Sequence, residues 1–203
     1  VAPVSEYRRP ENPRREPSFP GISQTQLGMY IALASLGMLF LASLVAYFVT
    51  RAQSEVWRTT ELPHLPLGLA GSTAILLLQA ASLHYAERRL AKNDFDGLRR
   101  ALGWALGTAL LFLIAQGVNW RSVALETMAA PVQSLYAFTF YMLTVLHALH
   151  VFAGLVPLGI VMTRAGRNEY SSSRSEGVKL LRQYWDFLLV VWLVLLASLL
   201  LFG

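Results

Sequence analysis

Long apolar runs separated by short polar gaps dominate this chain. Leu27 to Val49 carries no charged residue. At a rise of about 1.5 Å per residue, such a run crosses the roughly 30 Å hydrocarbon core of a bilayer with some tilt. Four more runs follow, at about Leu65–Ala86, Ala101–Trp120, Leu135–Met162 and Tyr184–Phe202. The pattern predicts an all-α, polytopic membrane protein with a bundle of five transmembrane helices. The fourth run is longer than a straight crossing needs, so it should tilt or bend. Pro157, which lacks a backbone donor and follows Gly154 by three residues, is the expected site of a kink.

Charge gives the runs a direction. Of 17 lysines and arginines, 14 fall in the N-terminal tail and in the second and fourth gaps. The first and third gaps hold only Arg51, Arg58 and Arg121. The positive-inside rule therefore predicts a cytoplasmic N-terminus, an external C-terminus and, for a bacterium, residence in the inner membrane. Interfacial aromatics agree with this, with Trp57, Trp120 and Tyr136 expected at the outer face. Tyr85, Trp104, Tyr184 and Trp185 are expected at the inner one. The first 20 residues hold five of the nine prolines and mix arginine with glutamate. They cannot bury apolar surface, which predicts a disordered cytoplasmic arm ahead of a membrane domain over 21–203. The arginine pairs do not read as a secretion signal, because the apolar run after them is too long and lacks a small-residue cleavage site.

Composition narrows the chemistry. Charged residues are only 14% of the chain, against about 25% in a typical soluble domain. Cysteine is absent, which excludes disulfides, thiolate-bound iron–sulfur or copper centres and a cysteine nucleophile in this chain. The net charge of +5 comes from residues at helix ends, where membrane orientation accounts for it; nucleic acid is not an expected partner.

The polar residues within the runs are the candidates for function, since ionisable groups at that depth are costly. His147 and His150 lie near the middle of the fourth run, on one helical face with Phe140, Thr144 and Gly154. A metal pair would need further ligands, yet no run carries a central carboxylate to supply them. Bis-histidine haem ligation would need a histidine at matching depth on another helix, and His84 lies at the inner edge of the second run. The simplest reading is neutral histidines bonding across a helix interface; a metal or haem role and a lipid-headgroup or water-cavity role stay open beside it. Gln79 and Gln116 read as interhelical hydrogen-bonding groups, and Asn119 and Asp186 as solvated residues near opposite interfaces. Gly103 with Gly107, and Gly68 with Ser72, read as small-residue pairs for close packing. A proton pump or ion-coupled transporter would need titratable groups or broken helices near the midplane, which only the histidines begin to supply.

Four stretches in order resemble subunit III of the haem-copper terminal oxidases in its short five-helix form. Leu146-His147-Ala148-Leu149-His150-Val151-Phe152-Ala153-Gly154 is similar to that family's G-x-H-x-x-H-V-x-x-G helix. Gln183-Tyr184-Trp185-Asp186-Phe187 through Val190-Val191-Trp192 is similar to its Y-W-H-F-V-D-V-V-W. Leu27-Gly28-Met29-Tyr30 through Ala46-Tyr47-Phe48-Val49-Thr50-Arg51 is similar to its G-M-W…S-E-x-M-x-F…R helix, and Gln116-Gly117-Val118-Asn119-Trp120 to its Q-G-x-E-W. The departures fall on polar positions. Leu36 and Asn119 stand where the family has glutamates, Asp186 where it has a histidine, and Leu189 where it has an aspartate.

The resemblance implies a non-catalytic subunit of an oxidase that reduces oxygen to water with electrons from cytochrome c or quinol. Haem and copper would then reside in partner subunits and not in this chain. The implied partners are the catalytic subunit I, a copper- or quinol-type subunit II and a small subunit IV, with phospholipid held between helices. Its structural and lipid-facing candidates are His147, His150, Asp186, Asn119 and Trp185. A related branch accompanies nitric oxide reductases, and an independent small membrane transporter is the alternative from another class.

Overall fold

A computed structural model describes residues 23–54, 68–129, 135–172 and 174–202. The predicted N-terminal arm and Trp57 lie outside these residues. Among the described residues there are five helices: α1 Gln24–Gln53, α2 Gly68–Ala91, α3 Phe95–Ala129, α4 Leu135–Gly166 and α5 Glu176–Phe202. All five are long and apolar enough to cross a membrane. The chain is an all-α, multi-pass membrane bundle.

The helices outrun the apolar stretches that announced them. α3 begins at Phe95, not Ala101, and continues past Trp120 to Ala129, while α5 begins at Glu176, eight residues before Tyr184. α2 and α4 likewise run on to Ala91 and Gly166, and α1 covers Gln24–Gln53. The reason is that hydropathy reports where lipid begins, whereas a helix stops where its capping chemistry says so. Ser23 caps α1, accepting from the Gln26 amide at 3.1 Å while the Gln26 side chain accepts from the Ser23 amide. Asp94 caps α3 by accepting from the Gly97 amide at 2.8 Å. Asn93, with φ 54°, in the α2–α3 turn and Asn168, with φ 55°, in the α4–α5 turn take left-handed conformations. α4 runs through Pro157 as a single helix.

α2, α3, α4 and α5 form a closed ring in which each helix packs against the next and α5 returns to α2. α1 lies outside this ring, against α4 and α5. It buries only Phe40 and Tyr47, whereas α2 buries eight residues along one face, from Leu69 to Leu90. Leu98, Leu102, Ala105, Ala109 and Phe112 form the matching stripe of α3. Their three- and four-residue spacing keeps one face inward. The α2–α3 interface is the most extensive, and its alanines (Ala80, Ala86, Ala101, Ala105) let the two backbones approach.

Two expectations about small residues separate here. Gly68 and Ser72 pack closely as predicted: a Cβ on Gly68 would collide with the Asn119 side chain. Gly103 and Gly107 do not pack against the described residues, because a Cβ on either would meet none of their atoms within 4 Å. The spacing shows that two glycines share a face, but not which way the face points. Another close glycine approach is at Gly154, where a Cβ would sit 2.7 Å from Tyr184 and 3.1 Å from Trp185.

Candidate functional site

His147 is completely buried at the junction of four helices. Its ring centroid lies 5.1 Å from that of Trp192 on α5, 5.8 Å from Phe112 on α3 and 6.2 Å from Phe40 on α1. The four-residue step from Phe112 to Gln116, like that from Leu188 to Trp192, keeps these rings on inward stripes. Neither nitrogen of His147 has a hydrogen-bond partner among the described residues.

His150, one turn on, is only half-buried. Its Nδ1 donates back to the Leu146 carbonyl of its own helix at 2.7 Å, and its ring packs on Phe40 at 5.0 Å. The expectation of histidines hydrogen-bonding across a helix interface is therefore corrected. Both side chains join helices through ring packing, and the hydrogen bond across the interface is accepted by the His150 backbone carbonyl, not by its ring. The Tyr184 hydroxyl donates to the His150 carbonyl at 2.8 Å. The cause is the neighbourhood, which is built of aromatic rings and offers the imidazoles almost no polar atoms.

The polar bonds between helices lie at other positions. Asn119 is buried, not solvated, and its Nδ2 donates to Ser72 Oγ at 3.1 Å, joining α3 to α2. Trp120 Nε1 donates to Thr144 Oγ1 at 3.1 Å, and Tyr141 Oη donates to the Trp120 carbonyl at 2.8 Å, joining α3 to α4. Trp192 Nε1 donates to Thr73 Oγ1 at 3.0 Å, joining α5 to α2. Gln79 fulfils its predicted role, accepting from the Thr108 hydroxyl across the α2–α3 seam. Gln116 does not, since both ends of its buried amide lack partners among the described residues.

Asp186 also departs from a solvated residue. Its Oδ1 accepts from His84 Nε2 at 3.1 Å and its Oδ2 pairs with Arg182 at 2.5 Å. Arg182 in turn lies 2.6 Å from Glu87. This four-membered polar cluster ties α2 to α5 near the end of the bundle that bears the α2–α3 and α4–α5 turns. Glu87 and Arg182 escaped sequence reading because they fall just beyond the apolar runs. Their signal was opposite charge on helices that turn out to be neighbours. Trp185 is buried against Gly154 with its indole N–H unpartnered, so it belongs to the α4–α5 seam and not to a lipid-facing surface. Tyr136 is buried as well, and of the inner-face aromatics Trp104 and Tyr85 point outward.

No group of three His, Cys, Asp or Glu that could hold a metal ion occurs among the described residues. An open apolar groove of about 170 Å³ runs between α1 and α5, lined by Gly37, Phe40, Leu41, Leu44, Val191 and Leu195 among others. The site is thus a set of interhelical ties around a buried imidazole, with an open apolar groove beside it.

Known proteins share this arrangement of sequence. The chain is similar to cytochrome c oxidase subunit 3 of Synechocystis sp., 29% identical over 170 residues that cover 83% of this chain and 71% of that protein. It is 27% identical over 172 residues to the subunit 3 of Thermostichus vulcanus, covering 83% of each chain. With the subunit 3 of Artemia franciscana it shares 29% identity over 197 residues, 91% of this chain and 74% of the relative. The family model described as cytochrome c oxidase subunit III matches residues 20–203, which takes in all five helices and every interhelical tie described above. This five-helix membrane chain belongs to the cytochrome c oxidase subunit III family, as a subunit of a respiratory oxidase complex.

Proposed function

We propose that this chain is the non-catalytic subunit III of a haem-copper terminal oxidase in a bacterial cell membrane. Its N-terminus lies in the cytoplasm. The family match over residues 20–203 carries the reading. The inventory of side chains agrees with it. A catalytic subunit with two haems and a copper needs six histidines, and this chain has four. A binuclear copper site needs cysteines, and it has none. Haem and copper then belong to partner subunits I and II, with a small subunit IV as a further neighbour.

The chain's own contribution is mechanical and lipidic. Its ring of four helices is tied at several depths by side-chain bonds, giving a stable body to pack against subunit I. The apolar groove between α1 and α5 suits an acyl chain, because its walls are aliphatic and aromatic and it opens sideways. Phospholipid held there supports assembly and sustained proton uptake by the catalytic subunit. A proton antenna made from the family's membrane carboxylates is not part of this role, for Leu36 and Leu189 cannot titrate. The Asn119 amide is engaged with Ser72.

The test is purification of the tagged chain from native membranes in mild detergent, with a haem spectrum and mass spectrometry of co-purifying proteins and lipids. Haem-bearing and copper-bearing oxidase subunits with bound phospholipid are the expected result. Co-purification with a nitric oxide reductase, or isolation as a lone protein, would overturn it.

A further inference from the structure

We propose that Gln116 and His147 hold a water molecule between them inside the four-helix ring. Both side chains are completely buried, and all four of their polar atoms lack a partner among the described residues. Buried polar groups in membrane proteins find hydrogen bonds almost without exception, because lipid offers no substitute for water.

Two contacts bracket the position. Phe112, Gln116 and Trp120 occupy successive turns of one face of α3. Phe112 packs edge-on against His147 at 5.8 Å, and Trp120 Nε1 bonds Thr144 one turn earlier on α4 at 3.1 Å. Gln116, midway between them, is placed against the stretch of α4 from Thr144 to His147. No hydrogen bond joins the two side chains directly, so the pair calls for a bridge.

Two polar side chains that make these contacts, those of Thr144 and Trp192, are already engaged. Thr144 Oγ1 donates to the Phe140 carbonyl at 2.7 Å while accepting from Trp120. The indole N–H of Trp192 is given to Thr73. The rings of Phe40 and Phe112 offer no nitrogen or oxygen. What remains is one amide and one imidazole with complementary needs. A neutral imidazole has one donor and one acceptor, and an amide has two donors and an acceptor oxygen. One water can accept from either group and donate to the other, satisfying an atom of each. The bridge would tie α3 to α4 at a depth where the surrounding contacts are aromatic, and would hold the His147 ring in one neutral tautomer.

The experiment is cryo-electron microscopy of the intact complex in which the chain is purified, at a resolution that shows ordered water. It does not depend on which complex that is. The expected result is a density peak about 2.7–3.2 Å from both the Gln116 amide and a His147 ring nitrogen. Direct contact between the two side chains, or empty space between them, would overturn the proposal. A cycle of Gln116→Leu, His147→Leu and the double variant gives an independent readout through the temperature at which the chain dissociates. Each single variant should lower that temperature, with the double variant no worse than the poorer single one; additive losses would count against a shared bridge. Should a variant fail to assemble, the density in the unaltered complex decides.

Discussion

His84 Nε2 and Asp186 Oδ1 lie 3.1 Å apart and join α2 to α5, two helices separated by about half the chain. The same carboxylate pairs with Arg182 on its own helix, and Arg182 reaches Glu87 on α2. Asp186→Leu removes the shared acceptor of His84 and Arg182. Both members of the His84–Asp186 pair are partly exposed, so solvent screening limits the loss to about 1 kcal/mol or less. Thermal unfolding in detergent should fall by no more than about 2–4 °C. The deficit should shrink at high ionic strength; a salt-independent deficit would mean the residue acts by packing instead.

Asp94 predicts a pH dependence outside the membrane. The Gly97 amide, followed by the Arg89 guanidinium, holds its carboxyl below the ordinary carboxylate range. The folded state thus favours the ionised form. The stabilisation is complete above the unfolded value near about 4 and disappears as pH falls through the lower, folded value. Asp94→Ala should lower stability at neutral pH, as the loss of a helix cap does. Denaturation curves of variant and parent should converge in acid, and a gap that persists there would contradict the assignment.

Glycines with the same sequence appearance should respond oppositely. Gly154→Val forces a side chain into Tyr184 and Trp185 and should destabilise by about 1–3 kcal/mol. Gly103→Ala and Gly107→Ala face open space and should leave the isolated chain as stable as before or slightly more so. Detergent melting temperatures of the three variants provide the comparison.

The orientation rests on the 14 basic residues assigned to one side. Ser172→Cys, in the exposed α4–α5 turn, should react with a membrane-impermeant maleimide only from the cytoplasmic face. Ser122→Cys, toward the opposite end of α3, should react only from outside. A reversed labelling pattern would invert the topology.

Asn119→Leu tests the division of labour between subunits. It breaks the α3–α2 tie to Ser72 and leaves Gly68 facing a different side chain. Interhelical bonds of this type contribute about 0.6 kcal/mol on average, so the bundle should still form. Freshly prepared oxidase should retain its initial rate of oxygen reduction and lose activity sooner during turnover. A large drop in the initial rate would place the residue in the reaction.

The five crossings were legible in the sequence because bilayer solvation acts on each segment separately: a long uncharged run needs no partner to declare itself. The family was legible for a related reason, since motifs such as His147-Ala148-Leu149-His150-Val151 keep their order along the chain. Tertiary structure alone decided which polar groups meet. Asn119 and Asp186 looked solvated by their depth, yet Ser72 and His84 stand opposite them across the bundle. Gly103 and Gly107 had the right spacing and point the wrong way, while Gly154 meets two aromatic rings. The His147 surroundings likewise come from three other helices, α1, α3 and α5. Helical periodicity fixes which residues share a face. The rotation of each helix about its axis depends on side-chain packing with neighbours distant in sequence, and lipid on every side supplies no gradient of hydrophobicity to announce it.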